Sequence, residues 1–379
     1  MKRPGMKRIA AVLSAFLLLP SCGVLEMREA QPETEAASDG LLSQARRSAE
    51  AEDKSPGLQL YATPPEVEEN PTLTFAFAGD ILIDTFIISD AAKKAGAGQS
   101  YSFLRTVSGV YRILETADVT VGFDSSAVHP KGDNDPTHRT PSEALETLSN
   151  AGYDVLNTLE WNDGDELLGQ YGIRSVNTAA DGVNSVLISE NDLTVALLTV
   201  GGEAYPIGSE SVNSQIARSS EESDLVIVMA DWNEGMTSGE QCAAAYYMAE
   251  AGADVIVGTG YTVGAVDWLD KNDGTESLVA YSLGNLLSTS PYYENLTGGI
   301  LTFTAEKRSS GKVAVKDVTL TPTFTHMEKG RSEVQVFPLS SYRDELAKVH
   351  YIGGLTADFL TSYVRSVVPA VYLPKEYRG

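Results

Sequence analysis

Cysteine is close to absent from this chain of 379 residues: Cys22 and Cys242 are the two it has. Two thiols cannot build a disulfide-stapled scaffold, so a buried core must hold the fold. Basic side chains are scarce beside acidic ones, 28 Lys and Arg against 52 Asp and Glu, for a formal charge of −24. Nucleic acid is thereby excluded as a partner, because phosphate binding needs a basic face. Anionic lipid headgroups are repelled by the same surface. Long apolar runs are missing too. The longest, IAAVLSAFLLL at residues 9–19, is too short for an ordinary spanning helix. Histidine occurs four times, as His129, His138, His326 and His350. No internal repeat is evident.

What the N-terminus does contain is a secretory pattern: basic MKRPGMKR, the apolar run, then LPSC. It resembles a bacterial lipoprotein signal, with Leu19 and Ser21 leading to Cys22 as the acylated residue; Pro20 departs from the usual small or β-branched residue. The resemblance implies a bacterial cell-membrane protein, lipid-anchored on the extracytoplasmic side, whose membrane partner is reached through the lipid on Cys22. An acylated Cys22 leaves Cys242 no intramolecular partner. Losing Lys2, Arg3, Lys7 and Arg8 with the signal takes the formal charge to −28. Residues 22–70 are polar, acidic and punctuated by Pro56, Pro64 and Pro65, a composition that cannot repay the entropy of ordering. The chain thus divides into a signal peptide at 1–21, an acidic flexible linker at 22–70, a folded body at 71–340 and a C-terminal helical extension at 341–379.

Within the body, LTFAFA reads as a strand ending at Gly79. SFLRTVSGVYRILETA has a helical rhythm and DVTVGF is a strand. TPSEALETLSNAG carries Thr140 as a cap, Pro141 at the first helical position, Glu143 two residues on and Gly152 at its end. YDVLNTL, NSVLISE and DLTVALLTV are further strands, the last two joined as a hairpin around Glu190 to Asp192. SQIARSSEESDLVIVMA and SGEQCAAAYYMAEAGADVIVG are each helix then strand. In the second, Cys242 shares a helical face with Tyr246 and Ala249 and reads as a small buried hydrophobe. SLVAYSLGN, GGILTFTAEK and KVAVKDVTLTPTF add strands, SEVQVFPL finishes a sheet edge, and SSYRDELAKVHYIGG packs a helix on it. Strand and helix alternating this regularly predict an α/β domain.

The apolar strand in TFAFAGDILIDTFI runs straight into Gly79-Asp80, with Asp84 four residues on, as hydrolases present a metal-binding carboxylate. With GDILID at one end and YSLGN at the other, the chain resembles the CapA family of capsule and poly-γ-glutamate synthesis over residues 72–305, with an edge reaching Leu339. That resemblance implies a calcineurin-like metallophosphatase-type α/β/β/α sandwich of two mixed sheets. Asp80 stands at the family's Gly-Asp motif. Asp124, in TADVTVGFD, occupies the place of a family Glu. The family's Asn-Asn-His becomes Glu160-Trp161-Asn162, and Asp165 matches the Asp that follows. His-Trp-Gly becomes Asp231-Trp232-Asn233. Of Gly-His-His-Pro-His only Gly258 remains, followed by Thr259, Gly260, Tyr261 and Thr262. Asn285 is retained. Asn162, Asp231, Gly260 and Thr262 therefore stand where family ligands are lost.

A binuclear hydrolase needs two divalent ions to activate water and clamp the transferring group, and imidazoles bind such ions without cancelling their charge. None of the four histidines lies at a family ligand position. His129 and His138 fall in the polar loop AVHPKGDNDPTHRT and read as solvated loop residues. What remains is rich in oxygen: Asp80, Asp84, Asp124, Glu160, Asn162, Asp165, Asp231 and Asn285. Three readings stay open. Mg²⁺ or Ca²⁺ sits among Asp80, Asp124, Asp165, Asp231 and Asn285 in a hydrolase. Alternatively, no cofactor is held and the cleft binds a surface polymer, a peptide or capsule-assembly proteins. In the third, the polar groups satisfy one another in a vestigial site. Trp161, Trp232 and Tyr261 each follow a strand end, where flat rings suit a sugar or peptide chain and equally suit core filling. A solute-capturing lipoprotein is a further alternative.

Overall fold

Strand β1 (Thr72–Ile81) is buried on both faces from Phe75 onward, as expected of a strand covered from two sides. The computed structural model describes residues 70–378 apart from 125–126, 130–138, 159–163, 179–183 and 233–234, with only the backbone at 127–129, 139–140 and 164–165. Cys22, His138, Glu160, Trp161, Asn162 and Asn233 lie outside the described residues. After β1 come β2 (Val119–Asp124), β3 (Ala127–His129), β4 (Arg139–Pro141), β5 (Val155–Asn157), β6 (Arg174–Val176), β7 (Ser185–Glu190) and β8 (Leu193–Val200). The second half adds β9 (Leu225–Ala230), β10 (Val255–Gly258), β11 (Val266–Asp270), β12 (Glu276–Ala280), β13 (Asn285–Leu287), β14 (Thr297–Lys307), β15 (Val313–Glu328) and β16 (Ser332–Pro338). The helices are α1 (Thr85–Lys93), α2 (Leu104–Val107), α3 (Tyr111–Leu114), α4 (Ser142–Asn150), α5 (Gly164–Gln170), α6 (Glu210–Glu222), α7 (Ser238–Glu250), α8 (Asp344–Val349) and α9 (Ala357–Val367). Among the described residues no helix is long and apolar enough to cross a membrane.

An eight-stranded sheet runs β16-β15-β14-β1-β2-β5-β6, with β13 also paired to β1, and a six-stranded sheet runs β11-β12-β10-β9-β8-β7. Both are mixed: β1 is parallel to β2 and β13 but antiparallel to β14. In the second sheet β12, β10, β9 and β8 are parallel, flanked by the antiparallel pairings of β11 with β12 and of β7 with β8. The period of two along these strands sets the layers. Val195, Leu197, Ile227 and Val257 share a core with Phe75 and Phe303 of the first sheet. Their neighbours Ala196, Leu198, Val228 and Ile256 share a different one with Ile216 of α6 and Met248 of α7. The chain therefore has an α/β fold of two mixed sheets that share a core, with α6 and α7 on the other face of the second sheet.

Three local expectations change. The helical rhythm of residues 102–117 breaks into α2 and α3, separated by Ser108 to Val110, because this stretch runs against β16 rather than lying free as one rod. Helix α4 begins at Ser142 with Pro141 in the cap position, since Thr140 is drawn into pairing with Val128. Cys242 is half-buried rather than a core residue. The hairpin between β7 and β8 forms as expected, with Asn191 and Asp192 both left-handed at φ 49° and 59°. After β16 the chain returns to the same core: Leu360 and Val364 of α9, then Leu373 and Tyr377, pack into the cluster that holds β1.

Candidate functional site

The carboxyl ends of the parallel strands in both sheets meet at one edge. Gly79 is required where β1 reaches that edge, because a Cβ there would collide with the Gly284 carbonyl and stand 2.9 Å from that of Leu283. This close approach lets the Asp80 amide donate to Gly284 O at 2.9 Å and places Asp80 beside Asn285 in the parallel register of β1 and β13. Asp124 is the register partner of Ile81, and Asn157 that of Phe123. Asp80, Asp124, Asn157 and Asn285 therefore line up across four strands, all buried.

The second sheet brings its own set. Val200, Ala230 and Gly258 are in register, so Asp231 and Thr259 leave their strands together. The Thr259 hydroxyl donates to Asp231 Oδ1 at 3.0 Å. Asn157 Nδ2 donates to Thr199 Oγ1 at 2.7 Å, joining the two sheets just behind this edge. Gly258 is likewise demanded by a close approach: any side chain would enter the Trp232 indole.

Several residues singled out from the sequence act here as frame. Asp84 caps α1, its Oδ1 accepting from the amides of Phe86 and Ile87 at 2.9 and 3.1 Å, while Thr289 Oγ1 donates to Oδ2. Trp232 is buried, with Nε1 donating to Tyr281 O at 2.7 Å and its ring stacked on Tyr281 at 6.5 Å. Asn285 Nδ2 donates to the carbonyls of Tyr261 (3.3 Å) and Asn295 (2.8 Å), which fixes the amide's orientation; Oδ1 has no hydrogen-bond partner. The Ser282 hydroxyl reaches the carbonyls of Gly260 and Thr262 at 3.3 and 2.8 Å. Tyr261 stands out into solvent, 69% exposed, and Thr262 beside it is exposed too. Asp165 lies in the first turn of α5. Beneath Asp124, burial raises the Tyr153 hydroxyl pKa, and the Asp124 carboxylate raises it further.

Sequence reasoning missed Asn157, Thr199, Ser282 and Thr289, whose signal is positional: each lies in or just beyond a strand that ends at the shared edge. It also passed over His326 and His350. These are buried together between β15 and the turn after α8, ring centroids 5.4 Å apart, with His326 Nδ1 at 3.1 Å from the Tyr342 hydroxyl. Burial foremost, then His350, Arg105 and Lys94, pushes His326 down to about 4. Of the remaining histidines, His129 is on β3.

A binuclear centre fits this donor set poorly. Asp80 and Asp124 approach with one amide, Asp231 accepts from a hydroxyl, and Gly260 and Thr262 offer no imidazole. Among the described residues no group of three or more His, Cys, Asp or Glu is placed to hold a metal ion.

Against known families, residues 170–290 match "Bacterial capsule synthesis protein PGA_cap". The matched segment is less than half of the chain. It carries Asp231, Trp232, the 259–262 loop and Asn285, whereas Asp80 and Asp124 precede the PGA_cap match. No curated protein matches the chain. Solved structures similar to it include a hypothetical protein from Thermus thermophilus, 12% identical with a TM-score of 0.42, covering 65% of this chain and 99% of that one. A novel phosphatase from Mycoplasma pneumoniae is 13% identical, TM-score 0.42, covering 73% and 99%. The NAD nucleotidase of Haemophilus influenzae is 9% identical, TM-score 0.40, covering 79% and 60%.

Proposed function

We propose that this is a lipid-anchored, extracytoplasmic PGA_cap-like protein that assists synthesis or handling of a capsule or poly-γ-glutamate type surface polymer without a binuclear metal centre. The observation that carries the reading is the state of the strand-end loops. Asp231, Gly260 and Thr262, at the positions where the CapA resemblance expects imidazoles, are engaged by Thr259 and Ser282, hydroxyls of their own scaffold. A loop tied to its frame in this way holds a shape, and a shape suits binding. In a turnover assay on phosphodiester and peptide substrates, the full chain should show no activity that Asp80→Ala abolishes; stoichiometric metal with turnover lost in that variant contradicts the reading. For the anchor, Cys22→Ser should release the protein or leave its precursor unprocessed, and unchanged membrane retention and mass would overturn it.

One observation favours a second reading, a hydrolase with an oxygen-only ligand set. Asn285 Oδ1 is buried without a partner beside Asp80, and a hard ion such as Mg²⁺ or Ca²⁺ prefers such ligands. One bound magnesium or calcium per chain distinguishes it.

A further inference from the structure

Two tyrosine rings stand out of this edge on loops that are hydrogen-bonded to the frame beneath them. Tyr261 is 69% and Tyr292 65% exposed. Their loops are held to each other, because Asn285 Nδ2 bonds the carbonyls of both Tyr261 and Asn295, and the Asn295 amide donates back to Tyr292 O at 3.2 Å. Ser282 holds the carbonyls on either side of Tyr261. Next to Tyr292, the ring of Tyr293 turns inward against Phe359 and Tyr363 of α9, at 4.9 and 5.4 Å, and anchors that loop on the other side. Exposing two apolar rings is unfavourable in water, and fixing their loops beforehand lowers the entropy a ligand must overcome on stacking.

Charge narrows the ligand. Residues 259–265 and 281–296 contain no Lys or Arg, Glu294 lies between the two anchors of the second loop, and the whole chain stands at −24. A polyanion meets repulsion here and no cation within these loops to pair with. A neutral polyhydroxylated chain meets none, can stack its sugar faces on tyrosine, and finds hydroxyl and carbonyl partners such as the exposed Thr262 beside them.

We infer that Tyr261 and Tyr292 form a binding subsite for a neutral glycan chain. This rests on the polymer-handling reading above and narrows it. The test is calorimetric titration of the full chain with a panel of neutral hexasaccharides built on N-acetylglucosamine, glucose or mannose, and with poly-γ-glutamate and hexagalacturonate as anionic probes. At least one neutral hexasaccharide should bind, with Tyr261→Ala and Tyr292→Ala each weakening it tenfold or more, Tyr261→Phe retaining it, and the melting midpoint unchanged in all three. No binding across the neutral panel, or alanine variants that bind like the parent, overturns the inference. Should an anionic probe bind more tightly while the neutral ones do not, the subsite assignment falls and the polymer-handling reading stands. Failure of both classes removes the two together.

Discussion

The Trp232 indole donates to Tyr281 O beneath the surface, and its ring fills the space that Gly258 leaves open. Trp232→Phe should therefore destabilise the fold by about 2 kcal/mol, through a lost hydrogen bond and an incompletely filled site. Urea unfolding reads this directly, and an unchanged midpoint would return Trp232 to the ligand-binding face. In the sequence, Trp232 occupies a strand end that suggests a platform for a ligand. Asp84 likewise follows Gly79-Asp80 at a spacing that suggests a metal ligand, yet its two oxygens cap α1 and hold Thr289. Residue type alone could not separate these roles. What separates them is the partner: Tyr281, 49 residues from Trp232, and for Asp84 the neighbouring Phe86 and Ile87 amides together with Thr289, 205 residues on.

At the scale of elements, the legible part was the part with period and punctuation. The alternation in LTFAFA and the apolar runs of DLTVALLTV and DLVIVMA marked out β1, β8 and β9, and the polar stretch from Glu190 to Asp192 marked a hairpin. Residues 102–117 misled because their apolar spacing is helical while β16 interrupts the rod. The pair His326 and His350 was illegible for the same reason: their burial is made by β15, Tyr342 and the turn after α8, which no local pattern links. That pair has a consequence for stability. Both imidazoles titrate lower in the folded chain than in the unfolded one, chiefly because burial disfavours the charged ring. Their stabilisation is complete above the unfolded value near 6.5 and is lost as pH falls toward about 4, where His326 accepts its proton in the native state. The groups facing His326 are the Tyr342 hydroxyl and His350, with Arg105 and Lys94 acting at longer range. The melting midpoint should fall across this interval, and less steeply in His326→Gln. Parallel pH profiles for the two proteins would contradict the account, since carboxylates titrating in the same range are common to both.

For the whole molecule, the address of the candidate site was legible in the sequence and its chemistry was not. Gly79-Asp80 and the Gly284-Asn285 pair mark the strand ends where two sheets converge, and they persist because close backbone approach and loop tethering need them. With Asp231, Gly260 and Thr262 where the CapA resemblance expects imidazoles, the two sheets still form and converge at this edge. The proposed role, binding a polymer without cleaving it, rests on those replacements and on a body at −24. The most direct measurement is the metal content of the purified full chain by plasma mass spectrometry, before and after dialysis against chelator. The account predicts well under one equivalent of zinc, manganese or iron and no change in melting midpoint on dialysis. Two equivalents of such an ion, removed by chelator with a loss of stability, would contradict it.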